Sequence, residues 1–173
     1  LFIEETLLNL YSDTTLLNRV YLKNWLARLV PDFLLKRPEG RINTIVEIGC
    51  GKGMLANYLS LMLPNAQVVG VDADPNNIFI AKSTVGKRRN IQFLCGDAFR
   101  LSNFRCDRLI LTNHFHHIGE HGQYRKLLEK TQPWVNEDGE LFIRHPLKEL
   151  DESALTILPR PKLHKHGVVW LAP

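Results

Sequence analysis

Three alternating glycines follow directly on a short apolar run, Thr44–Ile48, within the segment VEIGCGKG. Glycine adopts backbone conformations that other residues avoid, and it leaves the neighbouring peptide groups bare. Gly49, Gly51 and Gly53 therefore allow a tight turn that a ligand can approach closely. If a helix follows this turn, its N-terminal amides lie just beyond the glycines. The segment predicts a ligand-binding loop at a strand-to-helix junction.

Two acidic residues and one methionine indicate which ligand this loop takes. A dinucleotide-binding loop has the spacing G-x-G-x-x-G, whereas here Met54 stands where the third glycine belongs. Glu47 precedes the loop, and a carboxylate there would repel a diphosphate but suit a ligand that carries an ammonium and a sulfonium group. Asp72 ends the second apolar run, where it is placed to accept hydrogen bonds from both hydroxyls of a ribose.

A third acid, Asp97, follows the third apolar run in the segment CGDA. The ends of successive parallel strands lie at one edge of a sheet, so Asp97 is expected beside Glu47 and Asp72. Its predicted role is to accept a hydrogen bond from an adenine amino group. The structural alternative for Asp97 is a cap on the following helix.

Short apolar runs alternate with amphipathic segments, which predicts βαβ units and a parallel sheet covered on both faces. Right-handed crossovers then give a doubly wound, mostly parallel α/β sheet. The predicted strands are Thr44–Ile48, Gln67–Asp72, Ile91–Cys95, Arg108–Asn113 and Glu140–Arg144, and the predicted helices between them are Lys52–Met62, Pro75–Thr84 and Glu120–Trp134.

The first part of the chain has a helical pattern, which divides it into an N-terminal helical segment at 1–40 and an α/β core at 41–173. Pro31 ends the apolar periodicity. The helical segment either covers the ligand as a lid or packs against the sheet. Tyr11, Tyr21 and Trp25 either line an apolar acceptor pocket or belong to the core, because they recur at helical spacing.

The runs VEIGCGKG, VVGVDAD, CGDA, LILTNHFHHI and DGELFI together resemble the class I S-adenosylmethionine-dependent methyltransferases, over about Ile42 to Arg144. The resemblance implies a Rossmann-like fold, S-adenosylmethionine as methyl donor and S-adenosylhomocysteine as product. It assigns the methionine part to the glycine loop, the ribose to Asp72 and the adenine to Asp97. The cofactor-binding residues that it implies are Glu47, Gly49, Cys50, Gly51, Gly53, Asp72, Ala73, Asp97, Ala98 and Asn113.

The C-terminal end departs from this family. Its members usually end with a long antiparallel hairpin after the fifth strand, but only one strand-like run, Gly167–Leu171, follows Arg144. A shortened C-terminal end is therefore expected, either because the sheet itself is shortened or because the chain is truncated. An uncovered sheet edge favours pairing with another chain, so a homo-oligomer formed through that edge is also an expectation.

Four histidines, at positions 114, 116, 117 and 121, follow the fourth strand, where a methyl acceptor would lie. A general base assists transfer to a weak nucleophile such as a hydroxyl. We therefore predict His114 and His117 as catalytic residues, as a base or as contacts to substrate. The alternatives are a structural role in packing or capping and a metal site. No acid or cysteine at a suitable spacing supports the metal site, so none is predicted.

Composition and charge limit the class of partner. The 173 residues suit one globular domain, and no apolar run approaches the ~20 residues of a membrane span, so no membrane partner is expected. The net charge of +4 is not gathered into a dense basic stripe, so nucleic acid is not favoured. Three cysteines without CxxC spacing indicate a reducing, cytoplasmic location.

The sequence therefore predicts an enzyme that transfers a methyl group from S-adenosylmethionine to an oxygen or nitrogen nucleophile of a small molecule. An RNA or protein methyltransferase is one alternative, but TNHFHHI stands where an N/D-P-P-Y/F run would indicate a base nitrogen as target. A non-catalytic partner or sensor domain that binds the cofactor is another alternative. An NAD-dependent oxidoreductase is disfavoured by Met54 and Asp97.

Overall fold

The structure, a computed structural model, describes residues 2–11, 42–101, 104–112, 121–144, 156, 158, 162–164 and 167–171. Within these residues the chain forms seven strands and four α-helices. The strands are β1 (Thr44–Ile48), β2 (Gln67–Asp72), β3 (Ile91–Cys95), β4 (Cys106–Thr112), β5 (Val135–Arg144), β6 (Lys162–His164) and β7 (Gly167–Leu171). The helices are α1 (Phe2–Leu10), α2 (Met54–Met62), α3 (Pro75–Ser83) and α4 (His121–Thr131).

The seven strands form one sheet in the order β3-β2-β1-β4-β5-β7-β6. Strands β1 to β5 are parallel, with Glu47 opposite Gly70 of β2 on one side and opposite Ile110 of β4 on the other. The chain first winds outward from β1 to β3 and then returns to the other side of β1 with β4. This reversal is the topological switch point of a doubly wound sheet, and ligands bind at its carboxyl edge. The predicted fold class is confirmed.

Helices cover both faces of the parallel strands, which explains why these strands are apolar on both sides. On one face, α2 and α3 bury Leu55, Leu59 and Ile78 against the sheet. On the other face, α4 buries Tyr124, Leu127 and Leu128. The alternation within β1 follows from this arrangement, since Ile45 faces the first layer and Val46 faces the second.

Local signals set the helix ends. Asp74 caps α3 by accepting a hydrogen bond from the Asn76 N–H at 2.8 Å, and Pro75 occupies the first helical position, where it loses no hydrogen bond. Helix α2 begins after Gly53, two residues later than predicted, because the glycine turn extends through that residue. Helix α4 ends at Thr131, and the 3₁₀ helix Gln132–Trp134 leads directly into β5.

After Arg144 the described residues hold two strands rather than one. β7 pairs antiparallel with β5, and the three-residue strand β6 pairs antiparallel with β7. The expectation that Gly167–Leu171 is the one strand after Arg144 was therefore wrong. The sheet edge on this side is β6, and a homo-oligomer through that edge stays a prediction.

Helix α1 packs against α2. Leu7 and Tyr11 are buried there beside Met54, Tyr58 and Leu61. Tyr11 therefore belongs to a core cluster rather than to an open pocket, and the role of the segment 1–40 as lid or packing helices stays a prediction. Tyr21 and Trp25 lie outside the described residues, as does the rest of the segment up to residue 41.

Candidate functional site

The glycine loop leaves β1 at the switch point and has the conformation that its sequence requires. Gly49, Gly51 and Gly53 have φ angles of 75°, 53° and 80°, in the left-handed region that favours glycine. The Gly49 and Cys50 N–H groups donate to the Val71 carbonyl at 2.8 and 2.9 Å. These bonds hold the loop against the end of β2, so the predicted loop and the predicted second acid lie side by side.

Asp72 connects the loop to the start of α3. One carboxylate oxygen, Oδ2, accepts the Gly51 N–H at 2.7 Å. The other, Oδ1, accepts the Asp74 N–H at 2.9 Å and the Asn77 side-chain amide at 3.3 Å. An ionised carboxylate offers about four acceptor sites, so these three bonds among described residues leave capacity for a further donor. Asp72 is half-buried, which keeps that capacity accessible.

Asp97 lies beside Asp72 because β2 and β3 are neighbours. The Gly96 N–H donates to the Asp72 carbonyl at 2.9 Å, and this bond joins the two strand ends. The Asp97 side chain is 47% exposed and accepts the Phe99 N–H at 2.9 Å. Residues 98–100 form a turn rather than a helix, so this bond closes a turn and is not the helix cap that was the alternative for Asp97. Its second oxygen lies 3.7 Å from the exposed Arg100 guanidinium, in a geometry too open to occupy it fully.

Glu47 and Cys50 lie deeper than Asp72 and Asp97. Glu47 is 2% exposed and lies one residue before the end of β1, on the face covered by α2 and α3. Burial raises the pKa of the Cys50 thiol, and the nearby charges of Glu47 and Asp72 raise it further. The thiol is therefore held neutral beneath the loop. Two further predicted cofactor residues are described: Ala73 is exposed next to Asp72, and Ala98 is buried after Asp97.

Phe93 of β3 is a site residue that sequence reasoning missed. A Cβ atom on Gly53 would lie 2.5 Å from its ring, and a Cβ atom on Gly70 would lie 2.6 Å from it. Both glycines therefore make room for this buried ring, and Gly53 provides the close approach of helix to sheet that the third glycine of a dinucleotide loop would provide. The sequence could not predict this contact, because Gly53, Gly70 and Phe93 are far apart in the chain.

Tyr11 and Asn57 form a second feature that the sequence did not reveal. The Tyr11 hydroxyl donates to the Lys52 carbonyl at 2.8 Å, and the Asn57 amide donates to the Tyr11 oxygen at 2.8 Å. Asn57 also donates to the Gly53 carbonyl at 2.8 Å. The back of the glycine loop is thus hydrogen-bonded to α1 and α2, while Asp72 holds its front.

The remaining predicted site residues lie outside the described residues. These are Asn113 and the two predicted catalytic histidines, His114 and His117. Within the described part of the chain, no group of three or more His, Cys, Asp or Glu side chains could hold a metal ion. Over the same residues, no helix has the length and apolar character needed to cross a bilayer.

Comparison with known proteins defines the family. A family model described as a methyltransferase domain matches residues 45–139, which is more than half of the chain. The chain therefore belongs to the methyltransferase domain family, and its sheet has the Rossmann-like order of the class I S-adenosylmethionine-dependent methyltransferases. The resemblance inferred from the glycine loop and the three acids is confirmed.

Individual relatives match parts of the chain or its fold. Over 69 residues it is 39% identical to the malonyl-(acyl-carrier protein) O-methyltransferase of Priestia megaterium, covering 40% of this chain and 25% of that protein. The chain thus spans about a quarter of that relative's length. The TehB-like S-adenosylmethionine-dependent methyltransferase of Corynebacterium glutamicum is 18% identical, with a TM-score of 0.63 over 88% of this chain and 94% of that one. Human N-acetylserotonin methyltransferase in complex with S-adenosylmethionine is 17% identical, with a TM-score of 0.65 over 89% and 52% of the two chains. These two structures show that the fold is shared.

Proposed function

We propose that this chain transfers a methyl group from S-adenosylmethionine to an oxygen or nitrogen nucleophile of a small molecule. The observation that carries the proposal is the acid-flanked glycine loop at the switch point. Asp72 holds the Gly51 N–H at 2.7 Å, and a Cβ on Gly51 would meet no described atom within 4 Å. Bare backbone therefore adjoins open space beside a carboxylate, which is the environment that an adenosyl group with a cationic sulfur requires.

The charges of the site support a cationic ligand over a diphosphate. Glu47, Asp72 and Asp97 come from three neighbouring strands and would each repel a phosphate. Asp72 retains acceptor capacity for ribose hydroxyls, and the outer oxygen of Asp97 retains it for an adenine amino group. The residues present are thus compatible with S-adenosylmethionine. The proposed cofactor contacts remain the ten residues that the family resemblance implied.

In the proposed reaction, the main task of the protein is to align the acceptor with the methyl group and the sulfur of the donor. The acceptor attacks the methyl carbon, the carbon–sulfur bond breaks with its electron pair going to sulfur, and S-adenosylhomocysteine leaves as a neutral thioether. Holding nucleophile, methyl and sulfur in line contributes most of the acceleration. His114 and His117, which come after β4 in the sequence, are proposed to take the proton of the acceptor or to bind it.

The nature of the acceptor is supported by two relatives. The Priestia megaterium protein is named as an O-methyltransferase of malonyl-(acyl-carrier protein), and the human neighbour as an N-acetylserotonin methyltransferase. Both names favour a small acceptor group over a nucleic acid.

Cys50, Cys95 and Cys106 are all free thiols, which supports a reducing cytoplasm as the location.

A transfer assay tests the proposal. The full chain is incubated with S-adenosylmethionine carrying a labelled methyl group and with the metabolite, RNA or protein fraction of a cell extract. The proposal predicts label in the metabolite fraction together with S-adenosylhomocysteine, and neither product with the Asp72→Ala variant. Label in the RNA fraction, or on protein side chains rather than on a carrier-bound acyl group, would contradict the small-molecule acceptor. Binding of S-adenosylhomocysteine without transfer to any fraction would favour a sensor or partner domain.

A further inference from the structure

The back of the glycine loop is fixed by a network of hydrogen bonds in which the predicted cofactor contacts are residues of the loop itself, Cys50 and Gly53. Arg88, in the turn before β3, donates to the Asn57 Oδ1 atom and, at 2.6 Å, to the Thr84 carbonyl. Because a guanidinium has only donors, Oδ1 of Asn57 must face Arg88, and the amide nitrogen must face the other way. This orientation aims the Asn57 amide nitrogen at the Gly53 carbonyl, the Tyr11 oxygen and the Thr84 hydroxyl oxygen, each at 2.8 Å.

The direction of the Tyr11 hydroxyl follows from the same network. Its oxygen accepts the Asn57 amide at 2.8 Å, and its hydroxyl donates to the Lys52 carbonyl, also at 2.8 Å, with the Thr84 side chain as a further partner. Burial raises the pKa of Tyr11, so the hydroxyl keeps that hydrogen across the ordinary pH range. The end of α1 is thereby bonded to the middle of the glycine loop.

The peptide group between Lys52 and Gly53 is the part of the loop that most needs such a bond. Glycines flank Lys52 on both sides, and both have positive φ angles in a region where glycine moves readily. On the front, Asp72 fixes the Gly51 N–H. On the back, Tyr11 holds the Lys52 carbonyl. Because the peptide group is planar and trans, the Gly53 N–H must then point the opposite way. It donates to the Cys50 carbonyl at 2.9 Å.

We propose that Tyr11 is a positioning residue for cofactor binding, which acts through the Lys52 carbonyl to hold the glycine loop in its binding conformation. The N-terminal helix then contributes to cofactor affinity from behind the loop. The inference rests on the proposed function, since it takes the glycine loop as the S-adenosylmethionine site.

The test compares two tyrosine-to-phenylalanine variants of the full chain. Tyr11→Phe keeps the ring packed against α2 and removes the hydroxyl. Tyr124→Phe is the matched control, because Tyr124 is 6% exposed in the core on the opposite face of the sheet. S-adenosylhomocysteine is titrated calorimetrically into each variant, and the urea midpoint of each is measured separately. A purely structural role would move the midpoint without moving the affinity.

Tyr11→Phe is expected to weaken S-adenosylhomocysteine binding by about threefold to tenfold, the range expected for one buried hydrogen bond. Tyr124→Phe should bind as wild type does. Hydrogen exchange gives a second readout, because the Gly53 amide should exchange faster in Tyr11→Phe than in wild type. Unchanged affinity in Tyr11→Phe would overturn the inference, whatever happens to the exchange of the Gly53 amide. Failure of the wild-type chain to bind S-adenosylhomocysteine would instead overturn the proposed function, so the two failures are distinguishable.

Discussion

The ring of Phe93 occupies the space in which Gly53 would carry a side chain: a Cβ there would lie 2.5 Å from one ring carbon and 3.0 Å from the Ala81 methyl group. Gly53 also has a φ of 80°. Gly51, two residues earlier, has a φ of 53° but would meet nothing among the described atoms within 4 Å. A side chain at Gly51 would therefore cost backbone strain alone, whereas a side chain at Gly53 would cost backbone strain and a steric clash with Phe93.

Gly53→Ala is expected to lower the free energy of unfolding by about 2–4 kcal/mol, because the backbone strain adds to overpacking against Phe93. Gly51→Ala should cost only about 1 kcal/mol, from strain alone. Urea denaturation of both variants measures the difference. Adding Phe93→Leu to Gly53→Ala should recover part of the loss, and equal destabilisation by the two single substitutions would contradict the packing account.

The buried ion pair between β4 and β5 gives a second prediction. Arg108, 1% exposed, bonds to Glu140 directly opposite it in the sheet, where the pair is taken out of water. Arg108→Met should cost about 3–5 kcal/mol, because it strands a buried carboxylate. The double variant Arg108→Met/Glu140→Leu should recover most of that loss in urea denaturation.

The exposed pair Arg125–Glu129, one turn apart on α4 at 2.9 Å, is the control for this experiment. Its removal should change the free energy of unfolding by no more than about 0.5 kcal/mol. If the single variant Arg108→Met were as stable as the double variant, the stranded charge would not be the cause of the loss.

Stability should fall at alkaline pH. Burial raises the pKa of the Cys106 thiol from 9.0 to about 12 and raises those of Cys50 and Tyr11 as well. The unfolded chain therefore releases these protons first, so the contribution of Cys106 is complete below about pH 9 and is lost progressively towards pH 12. Each such group should lower the free energy of unfolding by about 1.4 kcal/mol per pH unit within its own window.

The check is a series of urea unfolding curves from neutral pH to about pH 11. Cys106→Ala should flatten the alkaline decline by the share of one group. A free energy of unfolding that stayed constant above pH 9, or a decline unaltered in Cys106→Ala, would show that these thiols and phenols are not held neutral by burial.

The sequence predicted the elements that depend on local pattern. The short apolar runs of β1, β2 and β3 were predicted with the bounds that the structure has. β5 was predicted to begin at Glu140 because the polar segment NEDG before it resembles a turn. In the structure β5 begins at Val135, which pairs with Cys106 of β4. β6 was missed because Lys162–His164 lies in a basic, proline-flanked stretch that becomes a strand only through pairing with β7.

In the candidate site, too, the features that depend on local pattern were predicted and those that depend on packing were not. The loop and Asp72 were predicted to lie together, since a glycine turn and a strand end are local signals that the topology brings to one edge. The hydroxyl of Tyr11 against Lys52 could not be predicted, because the spacing of Leu7 and Tyr11 fixes a buried helix face but not its partner. The same limit applies to Phe93, whose contacts with Gly53 and Gly70 exist only after β2, β3 and α2 have packed.

The central claim is that the carboxylate of Asp72 binds the ribose of an adenosyl group next to the glycine loop. Calorimetric titration of the wild-type chain with S-adenosylhomocysteine and with NAD, alongside Asp72→Ala and the surface control Glu129→Ala, tests it directly. The account predicts that the wild type and Glu129→Ala bind S-adenosylhomocysteine but not NAD, and that Asp72→Ala binds at least about 100-fold more weakly through loss of charge-assisted hydrogen bonds. Unchanged affinity in Asp72→Ala, or tighter binding of NAD than of S-adenosylhomocysteine, would contradict it.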